Sequence, residues 1–198
     1  MKFRLSILTL LFTLLLSFGL MALSAQETEP DTATTAAAVL QNVDGNDIGT
    51  VSFSYQNNLV LVTADLNSLP PGFHGFHIHT TGSCEDSGEG PFTAAGPHYA
   101  PQGNNHPDHA GDLPVLLVNQ DGTAYLSVRT DRFMTEDLFD EDGSAIIVHA
   151  LPDNYANIPE RYGGPDAETL DAGDSGDRIA CGVIEQEFDA DVMATPSG

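Results

Sequence analysis

His74-Gly-Phe-His77-Ile-His79 places three histidines within six residues. Pro70, Pro71 and Gly72 bound this stretch on one side, and Thr80, Thr81 and Gly82 on the other, so it reads as a β-strand between turns. Side chains alternate across a strand. His77 and His79 therefore share one face, while His74 falls on the other with Phe76 and Ile78. One face offers two adjacent imidazoles, preceded by Gly75, which has no side chain. The other is apolar and holds a single histidine. Two imidazoles on a rigid strand form half of a metal site, and the rest of the chain has to supply the other half.

The flanking sequence alternates in short runs. Residues 39–40 lead into Asp44-Gly45, residues 51–55 alternate and stop at Asn57-Asn58, and residues 59–66 are an apolar run closed by Pro70-Pro71-Gly72. Residues 82–112 are rich in Gly, Pro, Asn and His and have no period. A loop this long inside a compact domain is usually functional. Residues 114–118 and 124–128 flank a hairpin-like turn at Gln120-Asp121-Gly122. Residues 131–142 are acidic and anchored by Phe133, Met134, Leu138 and Phe139. Residues 144–149 form the next strand, a second long loop covers 151–177, and 179–184 is the last strand. About eight strands, no helix after the N-terminal segment and two long loops predict an all-β antiparallel sandwich or closed barrel.

Met1-Lys-Phe-Arg4, an apolar run over 5–23 and Ser24-Ala25-Gln26 describe a secretory signal peptide over residues 1–25, the alternative being a retained anchor. Residues 26–37 then read as a flexible linker, 38–188 as the folded domain and 189–198 as a loose tail. No later stretch is apolar enough to span a membrane. Export to the periplasm or the extracellular space follows. In that setting the two cysteines, Cys84 and Cys181, are most simply one disulfide, the alternative being two buried thiols. All 29 acidic residues follow Ala25, against four arginines (Arg129, Arg132, Arg161 and Arg178), giving the exported chain a formal charge of 4 minus 29, or −25. Such a chain is a poor partner for nucleic acid or anionic membranes.

The seven histidines are His74, His77, His79, His98, His106, His109 and His149. His98 follows Ala95-Gly96-Pro97. His106 and His109 precede Asp112 in a short polar stretch. His149 ends a strand with parity opposite to Ile146 and Val148, so it should point away from the core. Imidazoles without thiolates suit copper(II) or zinc, and three histidines with a carboxylate suit a closed tetrahedral zinc.

Three blocks make the pattern specific: Gly72-Phe-His-Gly-Phe-His-Ile-His79; Ala95-Gly-Pro-His98 through His109-Ala-Gly-Asp112; and Gly173-Asp-Ser-Gly-Asp-Arg178-Ile-Ala-Cys181-Gly-Val-Ile184. Together with Ile147-Val-His149, they resemble the copper/zinc superoxide dismutase family, of the bacterial exported kind. The resemblance implies an eight-stranded antiparallel Greek-key β-barrel or sandwich with two long functional loops. It implies His77, His79, His98 and His149 as copper ligands, and His98, His106, His109 and Asp112 as zinc ligands, with the His98 imidazolate bridging the metals. His74 matches a structural histidine beside the copper site. Asp153 matches an aspartate linking His77 to His106, Cys84 and Cys181 match the family disulfide, and Arg178 matches the active-site arginine. The implied reaction converts superoxide, the small-molecule substrate, to oxygen and hydrogen peroxide, with Arg178 and His98 as the catalytic side chains. An exported copper- and zinc-binding protein without this activity is the alternative, and it would need neither Arg178 nor the bridging position. The resemblance is compatible with a monomer or a homodimer.

The sequence departs from the family in two places. His106 and His109 are three residues apart, where family members have a longer loop. Residues 154–177 carry Glu160, Asp166, Glu168, Asp171 and Asp174, with Asp177, against Arg161 alone, where family members place lysines that steer superoxide. Added salt screens repulsion as well as attraction. Raising ionic strength from low to moderate values is therefore expected to leave kcat/KM for superoxide level or to raise it. A steep fall in that titration would show that attraction dominates the approach.

Overall fold

The structure is a computed structural model that describes residues 35–187; the expected signal peptide, most of the expected linker and the expected tail lie outside this range. Ten strands run in chain order: β1 (Thr35–Asn42), β2 (Asp47–Gln56), β3 (Leu59–Leu66), β4 (Gly72–His74), β5 (Phe76–His79), β6 (Leu116–Val118), β7 (Ala124–Thr130), β8 (Ala145–His149), β9 (Arg178–Val183) and β10 (Glu185–Glu187). All eight expected strands are present. Gly75 divides one of them into β4 and β5, and β10 adds a short edge to β1. β1 begins at Thr35, so residues 35–37, read from sequence as linker, are strand, with Ala36 fully buried.

Period-two alternation sets the inner face. In β3, Val60, Val62, Ala64 and Leu66 are buried while the intervening residues are not, and β2 turns Ile48, Val51 and Phe53 inward. Asn57 and Asn58 both adopt positive φ, 53° and 63°, and join β2 to β3 as a two-residue hairpin with Gln56 opposite Leu59. Asparagine tolerates this left-handed conformation better than other side chains, which explains why the run stops there.

Every strand pairing is antiparallel, and the sheet order is β4-β6-β7-β3-β2-β1-β9-β8-β5. The two ends of that order, β4 and β5, are consecutive in the chain, so the path closes on itself at Gly75. Here the histidine segment stops pairing with β6 and starts pairing with β8. A Cβ on Gly75 would lie 2.6 Å from Ser175 Cβ and 3.0 Å from His77 Cε1, so the corner admits only glycine.

There are two apolar layers. The first fills the barrel and includes Leu40, Phe53, Phe76, Ile78, Leu116, Leu138, Ile146 and Val148. The second lies outside the sheet, where Phe92 and Ala95 of the first long loop cover Ala145, Ile147 and Cys181. Consequently every residue of β8 is buried, from inside or from outside. His149 does lie on the face opposite Ile146 and Val148, but it is enclosed beneath the loops, only 3% exposed. The expectation of no helix is corrected by α1 (Ala167–Ala172) in the second long loop. Asp166 caps it by accepting the Thr169 N–H at 3.0 Å, and Gly173 ends it at φ +60°. Six residues are too few to show a helical period in sequence.

Cys84 and Cys181 form the expected disulfide, which ties the first long loop to β9 across 97 residues. Closing a loop of that size removes about 4–5 kcal/mol of chain entropy from the unfolded state. Cys181→Ser is expected to lower the unfolding free energy by roughly this amount in a denaturant titration. A shift below about 1 kcal/mol would mean that the open chain is already held together at this point.

Candidate metal centre

β5 has a partner, β8, on one side only. Its other side is covered by the first long loop, which pairs with it residue by residue. Ile78 N–H donates to Gly111 O at 2.9 Å, Tyr99 N–H to Ile78 O at 2.8 Å and Thr80 N–H to Pro97 O at 3.0 Å. This brings His98 opposite His79 and Asp112 opposite His77. Gly111 permits the close approach, since a Cβ there would meet Ile78 O at 2.5 Å. The ladder covers an otherwise open edge and sets the positions of four functional side chains.

His77, His79, His98 and His149 each offer a ring nitrogen within 4.8 Å of the others. Hydrogen bonds on the far side of each ring decide which nitrogen that is. His79 Nδ1–H donates to Gly96 O at 2.8 Å, His149 Nδ1–H to Gly176 O at 3.0 Å and His77 Nε2–H to Asp153 Oδ2 at 2.9 Å. These bonds leave the lone pairs on His79 Nε2, His149 Nε2 and His77 Nδ1. The first two are 3.4 Å apart, and His77 Nδ1 is buried with no partner. His98 Nε2 is likewise buried without a partner. Burial holds His79 and His149 well below the usual imidazole range and pushes His98 down to about 4, so these rings are neutral donors at physiological pH.

A second group lies on the other side of His98. Its Nδ1 is 2.8 Å from Asp112 Oδ1, His106 Nδ1 is 3.0 Å from Asp112 Oδ2, and His109 Nδ1 is 3.2 Å from Asp112 Oδ2 and 3.4 Å from His98 Nδ1. A tetrahedral zinc with bonds of about 2.0–2.1 Å needs ligand atoms about 3.3 Å apart; the two His109 spacings match this, and the His98 and His106 nitrogens, at 2.8 and 3.0 Å from Asp112, would move apart by a few tenths of an ångström. His106 Nδ1 is close to Asp112 but misaligned for a hydrogen bond, and it is left without a partner. The tightest set around this point contains His77, His98, His106 and Asp112, with His77 where His109 was expected. His77 is thus common to both groups, and His109 Nδ1 lies beside the second, 3.4 Å from His98 Nδ1 and 3.2 Å from Asp112 Oδ2. The donor set therefore fits two metal ions sharing His98.

Asp153 spans the two groups. It accepts from His77 Nε2 through Oδ2, and through Oδ1 from His106 Nε2 at 2.7 Å and Tyr155 N–H at 2.6 Å. Burial alone would raise the Asp112 and Asp153 carboxyls, but the facing imidazoles hold both well below the usual carboxylate range. Burial likewise opposes a proton on His106; the two carboxylates outweigh it and raise that ring to about 9. A positive charge is thus favoured between Asp112 and Asp153. Binding a divalent ion there would release a proton from His106 at neutral pH.

Arg178, at the start of β9, donates from Nη1 to Phe92 O at 2.7 Å and from Nη2 to Gly96 O at 2.6 Å. Gly96 O thus joins Arg178 to His79. His74 contacts His149 O at 2.7 Å through Nδ1 and Pro70 O at 2.8 Å through Nε2, which fastens β4 to the end of β8. The structure brings His77, His79, His98, His106, His149 and Asp112 into two adjoining groups, with His109, Asp153, Arg178 and His74 bonded around them, and places the Cys84–Cys181 disulfide in the outer apolar layer. The carbonyls of Gly96 and Gly176, which orient two of the rings, carry no sequence signal.

The family model described as copper/zinc superoxide dismutase (SODC) matches residues 48–184. The chain is 41% identical over 177 residues to a Cu-Zn superoxide dismutase of Mycolicibacterium paratuberculosis, covering 81% of this chain and 78% of that one. It is 38% identical over 188 residues to a Cu-Zn superoxide dismutase of Photobacterium leiognathi, covering 89% and 97%. A crystal structure of a double mutant of a SOD-like protein from Bacillus subtilis superposes with a TM-score of 0.60 at 32% identity, covering 74% and 94%. With this match spanning the barrel, both long loops and the two histidine clusters, the chain belongs to the copper/zinc superoxide dismutase family and is an enzyme that disproportionates superoxide using copper and zinc.

Proposed function

We propose that His77 Nδ1, His79 Nε2, His149 Nε2 and His98 Nε2 hold copper, and that His98 Nδ1, His106 Nδ1, His109 Nδ1 and Asp112 hold zinc. The observation that carries this division is the pair of roles at His98: one nitrogen sits among the zinc-type donors and the other is a buried orphan among the copper-type donors. Bound there, copper supplies one-electron redox chemistry and zinc a fixed positive charge without redox chemistry.

The protein's own groups then have separate tasks. The carbonyls of Gly96 and Gly176 and the Asp153 carboxylate keep three rings in the correct tautomer and orientation. When not engaged by copper, His98 Nε2 would accept a proton from water and pass it to the reduced product, and a zinc ion held at Nδ1 would lower the basicity of Nε2 and make that proton easier to give up. The Arg178 guanidinium, held by two carbonyls, keeps its remaining N–H groups for a small anion and attracts superoxide over the last few ångströms. The disulfide supports work in an oxidising compartment, and export to the periplasm or beyond the cell fits it.

Gly173 guards the link between the two halves. It lies at φ +60° against the Asp153 carboxylate, and a Cβ there would overlap that carboxylate and approach His106 Nε2 to 2.6 Å. Gly173→Ala is expected to weaken zinc binding about 10–100-fold by chelator competition. Left-handed backbone strain should also lower its stability by about 1–2 kcal/mol. Wild-type zinc affinity in this variant would remove Asp153 from its proposed role. The assignment as a whole is tested by metal analysis and a superoxide assay on the purified protein, with His149→Ala alongside. The expected result is one copper and one zinc per chain, activity in the wild type, and loss of copper and at least a hundredfold lower activity in the variant, on the order expected for removing a ligand. Unchanged activity in His149→Ala would sink the proposed copper site.

A further inference from the structure

We propose that Arg132 is a positioning residue for the zinc half of the site, clamping the short His106–His109 segment from outside. This rests on the zinc ligands assigned above. Two of those ligands stand three residues apart in an irregular segment that forms no helix or strand. Its own hydrogen bonds are turn-like and local: Asp108 N–H to Asn105 O at 2.8 Å, Asn104 Nδ2–H to Asp108 O at 3.1 Å, Asp112 N–H back to His109 O at 3.2 Å and His109 N–H to Asp112 Oδ2 at 3.0 Å, and none of them uses Pro107 O as acceptor. The inner side is tied to α1 by His106 N–H donating to Leu170 O at 2.9 Å. The outer side is held by Arg132, just beyond the end of β7. Its Nη1 donates to Pro107 O at 2.9 Å and to His109 O at 3.0 Å.

The choice of partner is informative. The chain has 29 acidic residues, yet among the described residues the one carboxylate within 4.0 Å of this guanidinium is the exposed Asp108, at 3.9 Å. One nitrogen instead bridges the carbonyl that follows His106 and the carbonyl of His109 itself, on either side of Asp108. Fixing the His109 carbonyl fixes the peptide plane that follows the His109 Cα, and fixing the Pro107 carbonyl holds the Pro107–Asp108 plane, one residue beyond His106, with the rigid proline ring between. The Nδ1 atoms of the His106 and His109 rings must converge on Asp112 to within a few tenths of an ångström for tetrahedral binding. A longer loop can support itself with internal turns, whereas a three-residue spacing depends on a strut from elsewhere. The polar partners of the Arg132 guanidinium are Pro107 O, His109 O and Asp108, none of them a proposed ligand atom, so its effect should appear in the zinc half alone.

The test compares Arg132→Ala and Arg132→Gln with Arg129→Ala, which removes the same charge from an exposed position on β7. Zinc affinity is measured by chelator competition on the copper-loaded protein, and cobalt(II) is substituted for zinc as a spectroscopic probe of ligand geometry. The expected result is zinc affinity lower by about 10–100-fold in Arg132→Ala, with a smaller loss in Arg132→Gln, whose amide can still donate to one carbonyl. The tetrahedral cobalt bands should weaken in the same order, copper content should stay unchanged, and Arg129→Ala should behave as wild type. Should the alanine variant not fold, the glutamine variant carries the comparison. Wild-type zinc affinity and cobalt spectrum in the Arg132 variants would overturn the clamp. A His109→Ala control separates the two levels: if it too leaves zinc affinity intact, the ligand assignment beneath the proposal fails, whereas zinc lost from His109→Ala but kept in Arg132→Ala defeats the clamp alone.

Discussion

The free edge of β5 is the constraint on which the site depends. A strand with one open side presents unpaired N–H and C=O groups, and here they are satisfied by the chain's own first long loop. Because the pairing is a ladder, it has a register, and that register places His98 against His79 and Asp112 against His77. A slip of one residue would turn His98 to the opposite face and take it out of both clusters. At Gly111 and Gly75 the surroundings approach too closely for a side chain, and together these two glycines let the loop seat and the barrel close. The metal-binding geometry is thus a by-product of satisfying backbone hydrogen bonds.

A second layer of polar contacts converts that geometry into chemistry. An imidazole has two nitrogens, and a strand can aim the ring without deciding which nitrogen carries the proton. Backbone carbonyls decide it for His79 and His149, and a carboxylate decides it for His77. Burial then keeps His79, His98 and His149 neutral, while two carboxylates favour positive charge at His106. The two halves therefore differ electrostatically before any ion arrives. One is a neutral nest of lone pairs suited to a redox ion, and the other an anionic cradle suited to a fixed dication.

Much of this was legible in the sequence because it depends on parity and composition. Alternation at His77 and His79 gave their common face, the opposite parity of His74 gave its separate role, and the run at residues 59–66 gave a strand whose inner face is as expected. The parity of His149 was also read correctly, but not its burial, since burial comes from loop residues such as Phe92 that pack on the outside of the sheet. α1 escaped because six residues cannot display a helical period. The orienting carbonyls of Gly96 and Gly176 escaped for a deeper reason: every residue has a carbonyl, so nothing in the side-chain sequence marks the ones that matter. The start of β1 was missed because Thr35-Ala-Ala-Ala is too weakly patterned to signal a strand until β2 and β10 pair with it.

The few arginines tell where the fold needs rigid support. The chain is acidic enough that any guanidinium on its surface could find a carboxylate. Among the described residues, however, the one arginine–carboxylate contact within 4.0 Å is Arg132 with Asp108, at 3.9 Å. Arg178 and Arg132 instead turn to backbone carbonyls, the first to Phe92 and Gly96, the second to Pro107 and His109. All four carbonyls belong to the same long loop, two before His98 and two after it. An exposed ion pair contributes little to stability, while a charged donor on a backbone carbonyl both satisfies a polar group and fixes a peptide plane. The loop that carries His98 is therefore held on each flank by a guanidinium rooted in the barrel wall, and the bridging histidine sits between two anchored segments. In the proposed site Arg178 serves the substrate as well as the loop. This sets a compromise at the copper side, because the donors that steady Gly96 are no longer free for the anion, and only the remaining N–H groups can draw superoxide in.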